Sequence, residues 1–561
     1  MAGWALDLGT TNCGVALWDE ALGKPRLVEL LGVCRKLEAQ DPLEAPRLVP
    51  SAVHFLEKLG ALDRLGSWPP LERRLFLGRR ALIGRAALER NEGTVHPSFI
   101  PTFKPGLSEE ALRPLARLGR ESLTARDAAH AFLRELLREI KRTTGQRVRD
   151  LVVTSPVAAF ETYRAEVQQI LGKLGVRRVR FIDEPVAAAL GYGISLSQER
   201  TVLVVDVGGG TMHAVLVRLA PQRAVSGQAT VLAKRGRPVG GNAVDGWVLD
   251  DLCRTMGCDL ASGDDELAIL WRRLMLAEAC RVKEAVFFET EVAFLMTPGQ
   301  TFRAAPRPAN GNGHGYASLT RDRLLEILTE QGFYRSLAAS VDEVLEEGGI
   351  TAADVEDVLL VGGSTLLPGF FSWFEERFER RRVRAWQPFE AVAYGAACFA
   401  GDRMDTLDFI VHDYAFVTHD PKTGEAQHTV IVPRGTRFPT SPELWKRQLV
   451  PTCALGEPES LFKLLICEVS KGDGDERRFV WDAAGEAHKV GGPTGEAQLV
   501  VPLNEASPTL GYLDPPHSPR DRRPRLEIAF GVSAERWLIA TVRDLLTQRE
   551  LMREEPVVRL V

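Results

Sequence analysis

Asp7 and Asp206 stand at the ends of two apolar runs that are written almost identically. The first reads Trp4-Ala5-Leu6-Asp7-Leu8-Gly9-Thr10-Thr11-Asn12 and leads into Gly14-Val15-Ala16-Leu17. The second reads Leu203-Val204-Val205-Asp206-Val207-Gly208-Gly209-Gly210-Thr211 and leads into Ala214-Val215-Leu216-Val217. Each has the pattern of a buried strand, a carboxylate at its end, a tight turn and a second strand. Glycine lets backbone N–H groups approach an anion without a Cβ in the way, and the threonine hydroxyls add donors. One such Asp would most simply cap a turn. Two in one chain point to related halves that face each other and hold phosphates, with a divalent metal ion between the acids.

Two further segments suit the same chemistry. Val361-Gly362-Gly363-Ser364-Thr365 follows an apolar run, and glycines at a strand-to-helix turn allow a nucleotide to lie on the backbone. Asp183-Glu184-Pro185 follows Phe181-Ile182 and precedes the small-residue run Val186-Ala187-Ala188-Ala189-Leu190-Gly191. Asp183 is placed to cap that helix, with Pro185 in its first turn. Glu184 would then point from a strand end towards the phosphates, where a carboxylate orients an attacking water. A first-turn glutamate that only serves the helix dipole is the plainer alternative.

The elements that must position these groups change character once along the chain. Up to about residue 400, strand-like runs alternate with amphipathic helical patterns, the mark of α/β architecture. Helices are expected at 125–142, 158–174, 245–256, 267–287, 321–347 and 370–381, and strands at 151–155, 178–182, 202–207 and 355–361. Residues 298–316, rich in Gly and Pro, read as a loop. Beyond a linker whose apolar stretch Leu407-Asp408-Phe409-Ile410-Val411 lies among acids, the runs 429–432, 461–469, 497–501, 526–532 and 537–542 suggest an antiparallel β domain. Long polar loops are expected at 473–495 and 504–524.

Bulk properties exclude several classes. At 561 residues the chain exceeds a single core. Its 45% hydrophobic and 26% charged content is ordinary for a soluble protein, and a net charge of −5 gives no general case for nucleic acid or an anionic membrane. No apolar run is long enough to span a bilayer, and the first residues lack a basic signal region, which argues for a cytoplasmic protein. The eight cysteines are scattered without a C-x-x-C pair and read as reduced core fillers. Cys13 lies in the first phosphate turn, where a need for a small side chain is a simpler reason for it than redox control.

Taken in order along residues 1–400, these pieces resemble the heat-shock protein 70 family of the actin-like ATPase superfamily. The resemblance is carried by the two acidic turns and by Val153-Thr154-Ser155-Pro156, Ile182-Asp183-Glu184-Pro185, Gly240-Gly241-Asn242-Ala243-Val244-Asp245 and Leu360-Val361-Gly362-Gly363-Ser364-Thr365. Sugar kinases and actins share the acidic turns. Asp183-Glu184-Pro185 with its alanine helix, and the linker into a β domain, resemble the chaperone branch. The resemblance implies an α/β actin-like ATPase of two duplicated ribonuclease H-like halves over 1–402, a linker at 403–413 and an all-β sandwich for peptide substrates at 414–561.

It implies ATP or ADP with Mg2+ as the ligands. Asp7 and Asp206 would hold the metal through its waters. Gly9, Thr10, Thr11, Asn12, Gly208, Gly209, Gly210 and Thr211 would meet the phosphates, and Gly240, Gly241, Lys283, Gly362, Gly363 and Ser364 the nucleoside. Glu184 would position the water. Lys104, in Phe99-Ile100-Pro101-Thr102-Phe103-Lys104, would stabilise charge on the γ-phosphate. Pro156 and Arg164 match a pair that relays nucleotide state to the linker, which ends at Asp413. The implied partners are extended apolar segments of unfolded proteins, a J-domain co-chaperone and a nucleotide exchange factor, with no nucleic acid and no membrane.

The adenosine side departs from the family pattern. Leu366 stands where the family stacks an arginine on the base, and Cys280, Glu284 and Phe287 replace a glutamate, an arginine and a serine. Losing that stack and those hydrogen bonds weakens adenine selectivity. In the β domain, Phe462, Leu464 and Ile466 alternate on one strand face, with Trp445 nearby in sequence, and are the candidates for peptide contact. Such a face is more often core than cleft. The helical lid of the family finds no room after residue 561, so bound peptides are expected to exchange quickly. Two competitors remain: a nucleotide-responsive scaffold with little turnover, and a small-molecule kinase of the same superfamily.

Overall fold

A computed structural model describes residues 3–560 except 36–42, 44–47, 58–79, 92–95, 110–111, 113, 157–160, 195, 197, 257–265, 296–315, 403–409, 411, 420–424, 454–456, 472–477, 483, 491–497, 506 and 534–535. Residues 298–315 of the expected loop and most of the linker therefore lie outside the described residues, and Tyr316 opens a strand. The chain divides into two compact units. The first holds residues 1–370 and 387–405, the second residues 371–386 and 406–561. Residues 371–386, which the sequence reading assigns to the first domain, thus pack with the second unit.

Unit one contains two sheets wired alike. In the first, β1 (Trp4–Leu8) forms an antiparallel hairpin with β2 (Asn12–Asp19), which continues to β3 (Lys24–Leu27). The other edge of β1 runs parallel to β4 (Asp150–Ser155), which runs parallel to β5 (Arg178–Asp183). In the second sheet, β6 (Arg200–Val207) forms a hairpin with β7 (Met212–Leu219), which continues to β8 (Thr230–Arg237), and β6 runs parallel to β9 (Asp357–Val361). Each hairpin thus carries its acid to the same end of its sheet: Asp7 opposite Gly14, Asp206 opposite His213. Central strands are apolar on both faces because helices cover both.

The described α-helices of eight residues or more are α1 (Ala125–Thr144), α2 (Glu161–Lys173), α3 (Glu184–Gly191), α4 (Gly241–Met256), α5 (Glu266–Ala285), α6 (Arg321–Glu330), α7 (Phe333–Gly348), α8 (Phe370–Phe378) and α9 (Ala391–Ala400), and Lys104 opens a shorter one, Lys104–Glu109. α1 starts at a capping box between Thr124 and Asp127 and stops at the left-handed Gly145. The single helix expected at 321–347 is two, because Gly332 takes φ of 72° and turns the chain between α6 and α7.

The helix that begins at Glu184 is held by backbone contact. A Cβ on Gly191 would stand 1.8 Å from the Ala391 carbonyl oxygen, and one on Gly395 would stand 1.8 Å from that of Ala187. The alanine-rich faces of α3 and α9 bring the two backbones this close, which fixes where Glu184 leaves β5.

Unit two is all-β apart from 371–386. β10 (Asp413–His419), β11 (Ala426–Val432), β14 (Ile466–Lys471) and β17 (Gln498–Pro502) form one antiparallel sheet in the order β11-β10-β14-β17. β12 (Trp445–Leu449), β19 (Leu526–Val532), β20 (Trp537–Asp544) and β21 (Glu550–Arg559) form a second in chain order. Tyr414, Phe416, Ile528 and Phe530, from both sheets, share one core.

The run 461–469 is not one strand. It breaks between β13 (Glu459–Leu464) and β14, where the buried Asn504 accepts the Ile466 N–H and donates to the Leu464 carbonyl, both at 2.9 Å. The expected loop 473–495 contains a hairpin, β15 (Arg478–Trp481) with β16 (Ala487–Val490), and the expected loop 504–524 contains β18 (Thr509–His517), paired with β13.

Gly395→Val should force α3 and α9 apart and destabilise the protein by about 3 kcal/mol. Denaturant unfolding checks this; an unchanged midpoint would mean that the backbone contact is not what seats α3.

Candidate functional site

The two acidic turns and the Glu184 strand end meet in one electrostatic cluster. Lys104 is buried and its Nζ lies 2.6 Å from Glu184 Oε1. Thr154, at the end of β4, donates its hydroxyl to Asp7 Oδ1 at 2.8 Å while accepting the Leu8 N–H at 3.1 Å. One buried hydroxyl thereby fixes both the carboxylate and the entry to its turn. Thr102 donates to the Thr10 carbonyl at 2.7 Å, and Ser51 to that of Gly9 at 2.8 Å, so neighbouring segments brace the first turn.

Depth in the protein pushes the Asp7 carboxyl up to about 6; Lys104 opposes the shift and Glu184 adds to it. Depth likewise pushes Asp206 up to about 7, with Glu184 and Asp7 adding and Lys104 opposing. Lys104 stays firmly protonated, because Glu184, Tyr163 and Asp7 together outweigh the burial that disfavours its charge. Three carboxylates and one ammonium leave a deficit of positive charge, and a divalent cation at Asp7 and Asp206 would supply it. The residues present therefore fit a hard dication.

The second and third glycine turns are bonded to each other. Ser364 Oγ donates to the Gly208 carbonyl at 3.1 Å, the Gly241 N–H to the same carbonyl at 3.0 Å, and the Asn242 N–H to that of Gly209 at 2.7 Å. Gly362 takes φ of 91°, and a Cβ there would stand 2.4 Å from the Val207 carbonyl oxygen. Lys283 comes to the same place: a Cβ on Gly241 would lie 3.5 Å from its Nζ. Its ammonium is 2.7 Å from Asp245 Oδ1, and both side chains are buried. Gly208, Gly209, Gly240, Gly241, Gly362, Ser364 and Lys283 thus converge.

Not every sequence expectation is placed where it was drawn. Asp183 sits at the N-cap of α3 but makes no capping bond. Its carboxylate turns instead to Arg164 at 2.5 Å and to the Ala229 N–H at 3.0 Å, with Ser155 Oγ 3.1 Å from Arg164. Pro156 leads into undescribed residues, and Asp413 opens β10, accepting the Arg434 N–H at 2.7 Å. Phe462, Leu464 and Ile466 are withdrawn into the unit-two core, not spread on an open face. Leu366 and Phe287 are core side chains as well. Cys13 is buried against Ser51, and burial pushes its thiol up to about 12, so it stays neutral and unreactive. Thr154 and Thr102 lie in segments marked out from the sequence but carry no expected role there, and Ser51 lies in none; no local pattern marks a residue that acts on a turn far away in the chain.

A family model described as Hsp70 protein matches residues 4–448. The chain belongs to the Hsp70 family. It is 27% identical over 450 residues to the chaperone protein DnaK of Thermus thermophilus, covering 78% of this chain and 66% of that protein. It is 28% identical over 446 residues to the chaperone protein dnaK3 of Thermosynechococcus vestitus, covering 77% and 60%. It is 26% identical over 487 residues to the chloroplastic stromal 70 kDa heat shock-related protein of Pisum sativum, covering 85% and 62%. The chain therefore spans somewhat less than two thirds of the length of these Hsp70 relatives.

The raised carboxyls set the sign of a pH effect. Both folded-state values lie above the ordinary 3.8, so without a cation the pair favours folding below about pH 4 and loses that contribution as pH rises through 6 to 7. Protons and a dication compete for the same oxygens. Mg2+ affinity measured by calorimetry should be at least roughly tenfold weaker at pH 5.5 than at pH 8, with protons released on binding. A pH-independent affinity would place the metal elsewhere.

Proposed function

We propose that this Hsp70-family protein is a Mg2+-dependent ATPase and molecular chaperone that couples nucleotide turnover to holding extended apolar segments of unfolded proteins. The observation that carries the proposal is the joining of Lys104, Glu184, Asp7 and Asp206 in one charge cluster beside glycine turns bonded to each other. Duplicated hairpin sheets support an actin-like ATPase with two ribonuclease H-like halves, and the shared core of two antiparallel sheets supports a β-sandwich.

Asp7 and Asp206 would hold Mg2+ through water, and the ion when bound would neutralise charge on the phosphate oxygens. Thr10, Thr11, Asn12, Thr211 and the N–H groups of Gly9, Gly208, Gly209 and Gly210 bind and orient the phosphates. Glu184 orients the attacking water, and Lys104, pinned by Glu184, faces the charge that develops on the transferred group. Gly240, Gly241, Lys283, Gly362, Gly363 and Ser364 receive the nucleoside. Pro156 and Arg164 report occupancy towards Asp413. A J-domain co-chaperone and a nucleotide exchange factor complete the cycle in the cytoplasm, with no role for nucleic acid or membrane. No helix among the described residues is long and apolar enough to cross a membrane.

A second reading, a nucleotide-responsive scaffold with little turnover, is favoured by the nucleoside side. Lys283 already spends its charge on Asp245, and Leu366 is packed into the core.

Phosphate release by the full chain decides between them. Glu184→Gln should slow hydrolysis roughly 100-fold while leaving ATP affinity within about threefold, since an oriented base acts in the transition state alone. Tight ATP binding with no release in the unaltered protein would select the scaffold. For the chaperone half, a fluorescent apolar peptide should bind the full chain and be released faster with ATP than with ADP; a rate indifferent to nucleotide would remove the coupling.

A further inference from the structure

Tyr163 stands in the first turn of α2 with its side chain fully buried. Among the described residues its hydroxyl has no hydrogen-bond partner. Leaving a buried hydroxyl unbonded is costly, so its presence calls for a reason. The ring belongs to the core that also holds Phe103, Leu107, Phe132 and Cys13, and Phe103 packs on Phe132 with ring centroids 5.2 Å apart. A phenylalanine would fill that core as well. The oxygen is the part of Tyr163 that packing does not explain.

That oxygen is set against the charge cluster. α2 packs on the short helix Lys104–Glu109, and Arg164, next in sequence, bonds to Asp183, the residue before Glu184. The start of α2 is thus seated against the segments that carry both partners of the Lys104–Glu184 pair. Burial above all holds the phenol proton in place, Lys104 opposing and Glu184, Cys13 and Asp7 adding to it, so Tyr163 stays neutral. A neutral phenol can accept a hydrogen bond as well as donate one.

The pair has to part for the proposed reaction. Lys104 and Glu184 bond to each other at 2.6 Å, whereas the reaction asks Lys104 to serve a phosphate and Glu184 a water. The Glu184 side chain is 29% exposed and meets solvent when released; that of Lys104 is 9% exposed and does not. An ammonium has three N–H donors, and turning one to a phosphate oxygen leaves the inner ones to be met by the protein. Asp7 is already held by the Thr154 hydroxyl, and the proposed function gives it to the metal. Tyr163 Oη is the neighbouring acceptor not yet in use.

We infer that Tyr163 is a positioning residue for Lys104: its hydroxyl accepts an ammonium N–H once Lys104 turns from Glu184 to the phosphate, and so holds that charge against the transferred group. The inference deepens the proposed function and rests on the roles given there to Lys104 and Glu184. A neutral acceptor suits the task better than a carboxylate, because it fixes the ammonium without cancelling its charge.

Tyr163→Phe removes the oxygen and keeps the packing. Were packing its whole role, the variant would be at least as stable and as active as the unaltered chain. Denaturant unfolding of the nucleotide-free protein should give an unchanged or higher midpoint, since a costly unbonded hydroxyl is gone. Turnover should nevertheless fall roughly tenfold in kcat, with KM for ATP within about twofold. By calorimetry, ADP with aluminium fluoride, a mimic of the transferred phosphoryl group, should bind roughly tenfold more weakly, and ADP alone within about twofold. The fluoride complex reads the same geometry where the unaltered chain turns over no ATP. A variant that keeps both full turnover and full affinity for the fluoride complex would overturn the inference alone, as would losses that come with a lower unfolding midpoint, the mark of a structural residue. No binding of ADP to the unaltered chain would overturn the nucleotide reading and this inference with it.

Discussion

Three carboxylates sharing one ammonium is the imbalance around which unit one is built. Asp7, Asp206 and Glu184 come from different strand ends, and Lys104 opposes them. Burial above all, with the like charge of Glu184 adding to it, favours protons on these acids, which is what carboxyls held at about 6 and about 7 describe. The fold prevents the acids from moving apart. Thr154 pins Asp7 from β4, and the register of β6 with β7 pins Asp206. A structure that spends this much constraint on keeping acids together is shaped for a positive partner, and the glycine turns beside them add N–H donors for an anionic one. The Hsp70 family membership and this local charge deficit are independent observations that agree.

Duplication explains why so much of the site was legible. Each acidic turn is local: strand, Asp, Gly and Thr lie within a few residues, and the chemistry can be read where it is written. The order β4-β1-β2-β3 in one sheet and β9-β6-β7-β8 in the other then follows from running the same hairpin twice. The third turn was legible for the same reason, since Gly362 must accept a φ that a side chain would resist. Lys104 was harder, because its role depends on meeting Glu184 across eighty positions of sequence.

What stayed illegible shares a physical cause. The break between β13 and β14 is made by Asn504, a side chain from the bend after β17 that satisfies two backbone groups, and nothing near Leu464 or Ile466 announces it. Asp183 has the type and position of a helix cap, yet a guanidinium and a distant N–H outbid the local bond. The β15–β16 hairpin reads as polar loop because its apolar residues pack on a segment about a hundred positions earlier. β21 buries Met552 in the core but exposes Arg553, Glu554 and Glu555, so its apolar face is interrupted along the strand. Local propensity failed wherever a long-range partner decided the outcome.

The nucleoside side shows how a site can change its chemistry without losing its shape. Burial disfavours the charge on Lys283, and Asp245 and Glu284 outweigh that, so the lysine is charged yet already paired. A ligand arriving there exchanges one partner of a buried ammonium for another, which costs less than burying a new charge but also gains less. Leu366, turned into the core, stabilises the short helix behind the third turn instead of reaching for a base. Under the proposed function, affinity drawn from phosphate and metal would survive both changes, because it rests on the acidic turns and not on Lys283 or Leu366. On the same reading, discrimination between bases has no such reserve: it would depend on donors and stacking partners at the base itself, and Leu366 and Phe287 are withdrawn into the core.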